Sequence, residues 1–163
     1  LDFIANYDPL TQLLNRRSME MHLHTSKELA KLRNFSFSIV IADIDDFKKI
    51  NDLYGHDCGD KVLVDVATIL RNNLRENDYA CRWGGEEMLL LINSNLTVTE
   101  KITERIRREI ESSITYHDNI PIKITMTFGI IEYIPGVSIK KQIQMADNKL
   151  YVGKNNGKNQ VVS

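Results

Sequence analysis

The chain has 163 residues, 42% apolar and 26% charged, with a net charge of −1 at neutral pH. That length suits one domain around one core, and the near-zero charge supplies no whole-molecule attraction for nucleic acid or an anionic membrane. Neither partner is expected for this domain, so a polyanionic ligand must be held by local groups or by a metal.

After the turn signal Asp8-Pro9, the stretch from Asn15 to Arg33 reads as a helix. Phe35 to Ala42 is apolar and β-branched and reads as a buried strand. Lys61 to Leu74 carries Val62, Leu63, Val66, Leu70 and Leu74 at helical spacing. Asp78 to Trp83 and Glu87 to Ile92 flank Gly84-Gly85 and predict a β-hairpin. Thr99 to Ile114 sets Ile102, Ile106, Ile110 and Ile114 on one helical stripe. Ile120 to Tyr133 reads as one long strand with a bulge at Gly129. Ser138 to Lys154 is a last helix, and Gln160 to Val162 a short edge strand. A hairpin interrupting an α/β alternation predicts an α+β fold, with a mixed, mainly antiparallel central sheet covered by helices.

No apolar run reaches the roughly 18 residues that a membrane span needs, and no signal peptide is visible. Two cysteines, Cys58 and Cys81, suit reduced thiols in the cytoplasm better than a disulfide scaffold. The chain starts at Leu1. We expect a single domain spanning residues 1–163, cut from the C-terminal part of a longer protein with upstream sensory or membrane-tethering parts.

Two familiar motifs fail. Gly153 to Asn159 has one residue too few for a P-loop and Asn where Ser or Thr belongs. An EF-hand loop begun at Asp43 would place Phe47 at a ligand position and Lys48 where glycine must turn. His22, His24, His56 and His117 form no zinc spacing with the cysteines.

The chemistry gathers elsewhere. Asp43-Ile44-Asp45-Asp46 stands at the end of a buried strand, where unpaired charge is costly. Glu86-Glu87 stands at the hairpin tip, beside two glycines that suit positive φ and close backbone approach to a ligand. If the strand and hairpin are neighbours, Asp43 and Glu86 meet at one sheet edge. Carboxylates without a basic partner suit a hard dication such as Mg²⁺, whose remaining ligands come from substrate phosphates. The connector after the acidic strand end carries Lys48, Asn51-Asp52, Gly55-His56 and Gly59-Asp60, polar groups able to read a nucleotide base.

Several ordered motifs together resemble the GGDEF family, the bacterial diguanylate cyclase domains. They are Tyr7 to Thr11 with Asn15-Arg16-Arg17, Asp43 to Asp52, Gly55 to Asp60, and the signature Arg82-Trp83-Gly84-Gly85-Glu86-Glu87-Met88. Thr127 to Ile130 and Ala146-Asp147 through Tyr151, Lys154, Gly157 and Lys158 complete the pattern. The resemblance implies a palm-like nucleotidyl cyclase fold and condensation of two GTP into cyclic di-GMP in a homodimer. It implies two Mg²⁺ per active site, or Mn²⁺ in their place, held by Asp43, the carbonyl of Ile44 and Glu86. It places guanine on Asn51 and Asp60, phosphates on Lys48, Lys154, Lys158 and the amides near Asp46 to Lys48, and a further substrate contact on Phe47. Lys48, Glu86 and Glu87 become the catalytic group, with Glu87 as general base or hydroxyl-positioning residue.

The spacing of Arg75 and Asp78 before the signature resembles the family's inhibitory site for its product, with Arg105 as a helper. Four positions depart from the usual pattern: Gln12 for Gly, Met88 for Phe, Gly153 for Ala and Lys158 for Arg. None removes a metal or guanine group. The other readings are a non-catalytic receptor for GTP or cyclic di-GMP, and a different palm-type cyclase or polymerase.

Overall fold

The computed structural model describes residues 5–163. Helix α1 (Arg16–Arg33) starts where the Asn15 side chain accepts from the Ser18 amide at 2.9 Å. Such a cap contributes about 1 kcal/mol. The helix stops at Asn34, which turns left-handed and returns its amide to the Ala30 carbonyl. Strand β1 (Ser38–Ile44) is buried throughout except at Asp43, which is partly exposed.

The connector that follows is not irregular. It forms two helices, α2 (Phe47–Tyr54) and α3 (His56–Asn73), separated by Gly55 at φ 91°. Helix α3 therefore begins at His56 rather than Lys61. Strands β2 (Tyr79–Arg82) and β3 (Glu87–Ile92) form the expected hairpin. Helix α4 (Leu96–Ser112) buries Ile102, Ile106 and Ile110, while Ile114 lies beyond its end and is exposed.

The long strand expected over Ile120 to Tyr133 is divided. Asp118 and Asn119 both take positive φ and join β4 (Thr115–His117) to β5 (Ile120–Ile122) in a separate two-stranded ribbon. Two consecutive left-handed residues are what a tight hairpin turn requires. After a break, β6 (Met126–Glu132) enters the main sheet. Helix α5 (Ile139–Asn155) and β7 (Val161–Val162) complete the order.

The main sheet runs β2-β3-β1-β6-β7. Every pairing is antiparallel except β6 with β7. One face packs Ile39, Ile41, Leu89 and Leu91 against Met19 and Leu23 of α1 and Ala146 and Leu150 of α5. The other packs Val40, Ala42, Met88 and Leu90 against Val62, Leu63 and Val66 of α3 and Ile106 of α4. Each such large aliphatic side chain contributes roughly 1.5–3 kcal/mol when fully buried. The fold is α+β with a mainly antiparallel sheet between two helical layers. Among the described residues, no helix is long and apolar enough to cross a membrane. Both cysteines are free and buried, and burial pushes the Cys81 thiol up to about 12.

Gly129 makes no bulge. It pairs in register with Ile41, and its missing Cβ admits α5: an added Cβ would sit 2.2 Å from the Ala146 carbonyl oxygen and 2.5 Å from the Leu150 amide nitrogen. The two nearest atoms are α5 backbone, which cannot swing aside as a side chain can. Gly129→Ala is therefore expected to cost about 1–3 kcal/mol, as overpacking does, read as a lower urea midpoint at unchanged slope.

Candidate active site

Strand β1 delivers Asp43 to the sheet edge directly opposite Glu87 of β3. Side chains alternate along a strand, so both share the face that carries Ile39, Ile41, Leu89 and Leu91 and that α5 covers. Helix α5 accordingly supplies the nearby charges. Lys154 Nζ lies 3.8 Å from Asp43 Oδ2 and 2.6 Å from Asp45 Oδ1.

Asp43 and Asp45 are driven in opposite directions. Burial pushes the Asp43 carboxyl up to about 6; Lys154 opposes the shift, and Glu86, Glu87 and Asp45 add to it. Asp43 Oδ1 is buried and has no hydrogen-bond partner. Burial would raise Asp45 too, but bonds from Lys154, Thr125 and Thr127 hold it below the usual carboxylate range. The acidic run is thus not uniformly without basic partners: Asp45 pairs with Lys154, and exposed Asp46 with Lys158 at 2.6 Å. Asp43 is the member left unsatisfied.

Asp46 precedes α2 at φ 55° and makes no side-chain bond to the first amides of that helix. Its carboxylate faces Lys158 and, at 3.7 Å, Lys49. An uncapped helix start suits an anionic group.

On the other side of the edge, a cavity of about 370 Å³ is lined by Phe47, Lys48, Asn51, Asp60, Arg82, Gly85 and Glu86, together with His56 and Leu63. Asn51 Oδ1 is buried without a partner. It occupies the space a Cβ at Gly59 would fill, 1.9 Å from that point, so Gly59 is what lets Asn51 turn inward. Asp60 is exposed. Asn51, Asp60, Gly85 and Glu86 thus line one cavity, while Gly84 and Glu87 do not.

The hairpin tip departs from expectation in one respect: neither Gly84 nor Gly85 has positive φ. The turn is instead tied from its base. The amides of Trp83 and Gly84 both donate to the Glu87 carbonyl, and Arg82 Nε donates to the Gly85 carbonyl at 3.0 Å. The glycines provide room, since nothing lies within 4 Å of a Cβ built at Gly85. Arg82 also reaches Asp8 at 3.5 Å, and Asp8 in turn accepts from the Thr11 amide and hydroxyl. Arg82, Asp8 and Asp45 belong to motifs visible in the sequence, but none of them was expected there as a site residue. Glu87 is raised by burial first, then by Asp147 and Glu86, with Arg16 opposing; Arg16 lies 4.0 Å over the Trp83 ring.

Arg75 and Asp78 meet, but as each other's partners. The Asp78 side chain is 1% exposed and accepts from the Arg75 amide, Arg75 Nε and Nη2, and the Asn93 amide. Arg105 donates to the side chain and carbonyl of Asn73, two positions before Arg75. Arg75 and Arg105 line separate depressions.

The description "Diguanylate cyclase, GGDEF domain" belongs to the family model that matches residues 5–160. The chain belongs to the GGDEF family. Diguanylate cyclase A of Treponema denticola is 37% identical over 142 residues, covering 86% of this chain and 38% of that protein. The coiled coil and GGDEF domain of DgcB from Caulobacter crescentus, solved with c-di-GMP, superposes with a TM-score of 0.94 at 29% identity, over 99% of this chain and 86% of that one. Diguanylate cyclase SiaD of Pseudomonas aeruginosa, solved with its activator SiaC, gives 0.93 at 34% identity, over 96% and 60%. The GGDEF domain described here spans little more than a third of the Treponema relative.

The residues present fit a dication. Asp43 offers a buried oxygen with nothing bound to it, and Glu86 stands near enough to raise its pKa. Among the described residues no three His, Cys, Asp or Glu side chains converge. Two carboxylates suit an ion such as Mg²⁺, which commonly takes one or two and draws its other ligands from water and phosphate.

A raised carboxyl binds its proton more tightly folded than unfolded, so its contribution is present below about pH 4 and lost as pH rises through about 6. In chelator-containing buffer, Asp43→Asn should raise the melting temperature at pH 7.5, and the gain should shrink toward pH 4. Melting curves across that range check both the sign and the window.

Proposed function

We propose that this GGDEF domain is an active diguanylate cyclase, condensing two GTP into cyclic di-GMP and two pyrophosphates. The observation that carries this reading is the partnerless Asp43 oxygen beside Glu86, with the equally partnerless Asn51 oxygen in the adjoining cavity. One end lacks a cation and the other a hydrogen-bond donor; a guanine nucleotide with its metal supplies both.

In this reading the guanine enters the cavity and meets Asn51 and Asp60. A carboxylate accepts from both N1–H and the 2-amino group of guanine, a donor pair adenine does not present. Phe47 packs beside the base. The phosphates extend toward Asp43, where Lys48, Lys154, Lys158 and the open amides of α2 receive them. Asp43, the Ile44 carbonyl and Glu86 hold the metal, Mg²⁺ or Mn²⁺, at two ions per site. Bound there, the ions stabilise charge on the reacting phosphate and leaving oxygen. Glu87, half-buried among like charges, orients or deprotonates the attacking hydroxyl.

Each protomer of a homodimer holds one GTP. The 3′-hydroxyl of one attacks the α-phosphate of the other, forming the phosphodiester and expelling pyrophosphate; a second attack in the reverse sense closes the ring. The protein's part is largely positioning and charge stabilisation. Product inhibition is assigned to Arg75, Asp78 and Arg105, where the ligand must exchange the Arg75–Asp78 bonds for its own. GTP supply places the reaction in the cytoplasm.

Glu86→Gln should fold normally and form cyclic di-GMP from GTP and Mg²⁺ at under about a hundredth of the parent rate, followed by chromatography of the products. Equal rates would remove Glu86 from the metal site, and a parent that binds GTP without product would favour a receptor. Arg75→Ala should relieve inhibition by added cyclic di-GMP, raising its half-inhibitory concentration about tenfold or more; an unchanged value would displace the inhibitory site from this turn.

A further inference from the structure

Asp45 has a 4% exposed side chain, and each of its oxygens accepts two hydrogen bonds. Oδ1 accepts from Thr127 Oγ1 at 2.7 Å and Lys154 Nζ at 2.6 Å. Oδ2 accepts from Thr125 Oγ1 at 2.7 Å and the Asn159 amide at 3.0 Å. The Asn159 amide also reaches Thr127 Oγ1 at 3.0 Å, and the Asp45 amide donates to the Thr125 carbonyl at 2.9 Å. Donors from β6, the segment before it, α5 and the tail after α5 thus hold the carboxylate in one place and one plane.

A lysine on the last turn of a helix ordinarily samples many rotamers, and a ligand must halt that motion at an entropic cost. Lys154 is different. It is 21% exposed, with Nζ against Asp45 and 3.8 Å from Asp43 Oδ2. Its ammonium has three donors; one serves Asp45 and two are left for the ground beside Asp43. Lys158 is the contrast, since its partner Asp46 is 43% exposed and gives it no comparable brace.

We propose that Asp45 is a positioning residue for triphosphate binding, holding Lys154 so that its remaining donors meet nucleotide phosphate oxygens beside Asp43. The assignment rests on the GTP reading above and adds to it a buried acid that touches neither metal nor substrate. Because the brace is built before the ligand arrives, the advantage falls on the phosphates and not on the base.

The test is calorimetry in Mg²⁺ with two probes: a GTP analogue carrying methylene between the α and β phosphorus atoms, and GMP. Asp45→Asn should weaken the triphosphate about tenfold while GMP stays within about twofold. Lys154→Ala should do the same, and the double variant should be no weaker than Lys154→Ala alone, because coupled residues do not add. Equal losses for both nucleotides, or additive losses, would overturn the proposal. Should Asp45→Asn not fold, Thr125→Val removes one brace and no charge; it should lower the triphosphate-to-GMP affinity ratio about two- to threefold, while Thr125→Ser retains it. An unmoved ratio in Thr125→Val overturns the proposal in that case. A parent protein that binds both probes alike overturns this assignment, since the extra phosphates then gain nothing; one that binds neither overturns the nucleotide reading itself, and this assignment with it.

Discussion

Strand β1 lies in the middle of the sheet, hydrogen-bonded on both sides, and its end runs out through Asp43 and Ile44 into Asp45 and Asp46. A buried carboxylate is tolerated only where donors replace the water it has lost. Asp45 meets that condition with two threonine hydroxyls, an ammonium and a backbone amide. The arrangement joins the end of β1 to β6, to the end of α5 and to the tail that leads into β7. With Asp45 satisfied in this way, Asp43 is left beside it, burdened by burial and by like charges, with only Lys154 to relieve it. Opposite environments for two carboxylates two residues apart leave one sheet edge with one fully bonded anion and one open oxygen.

The alternation of β1 and β3 also separates the work of the site. Residues with the parity of Asp43 and Glu87 face α5, where the lysines stand. The cavity bounded by Glu86, Asn51 and Asp60 lies toward α2 and α3. Arg82 connects the two sides at the hairpin, gripping the Gly85 carbonyl with the same guanidinium that reaches Asp8. The tip owes its shape to these bonds and its accessibility to the absence of side chains at positions 84 and 85.

Much of this was legible in the sequence, and the residues that were not share a reason. Apolar runs and the Gly84-Gly85 turn gave the strand and the hairpin; that the two are neighbours was only a condition in the sequence, and the structure meets it by pairing Asp43 with Glu87. The helix α2 was passed over although Phe47, Ile50 and Tyr54 recur at helical spacing, because it is only eight residues long and its polar residues read as a connector. The β4–β5 ribbon was missed because Asp118-Asn119 lacks the glycine that usually marks such a turn. At Gly84 and Gly85 the composition suggested unusual dihedrals where open space was the actual requirement. At Gln12 the reverse holds: a residue with a side chain takes φ 62°, a conformation that ordinarily favours glycine. The role of Asp45 was out of reach, because its partners lie 80 to 114 positions away and no local pattern predicts which of several neighbouring acids will be enclosed. The burial of Asp78 was hidden for the same reason: the Asn93 amide that helps enclose it lies across the hairpin.

The bond from Asn159 to Asp45 bears on how the molecule is made. A chain emerging from the ribosome can collapse α1, β1 and α3 early, but the middle strand then has an unpaired edge until β6 arrives, and Asp45 has no ammonium beside it until α5 is complete. Its last backbone donor, Asn159, comes only after α5. Nascent or truncated forms that lack Lys154 and Lys158 would carry Asp45 and Asp46 without their counter-charges, so this acidic edge takes its folded form only once the segment after α5 is present.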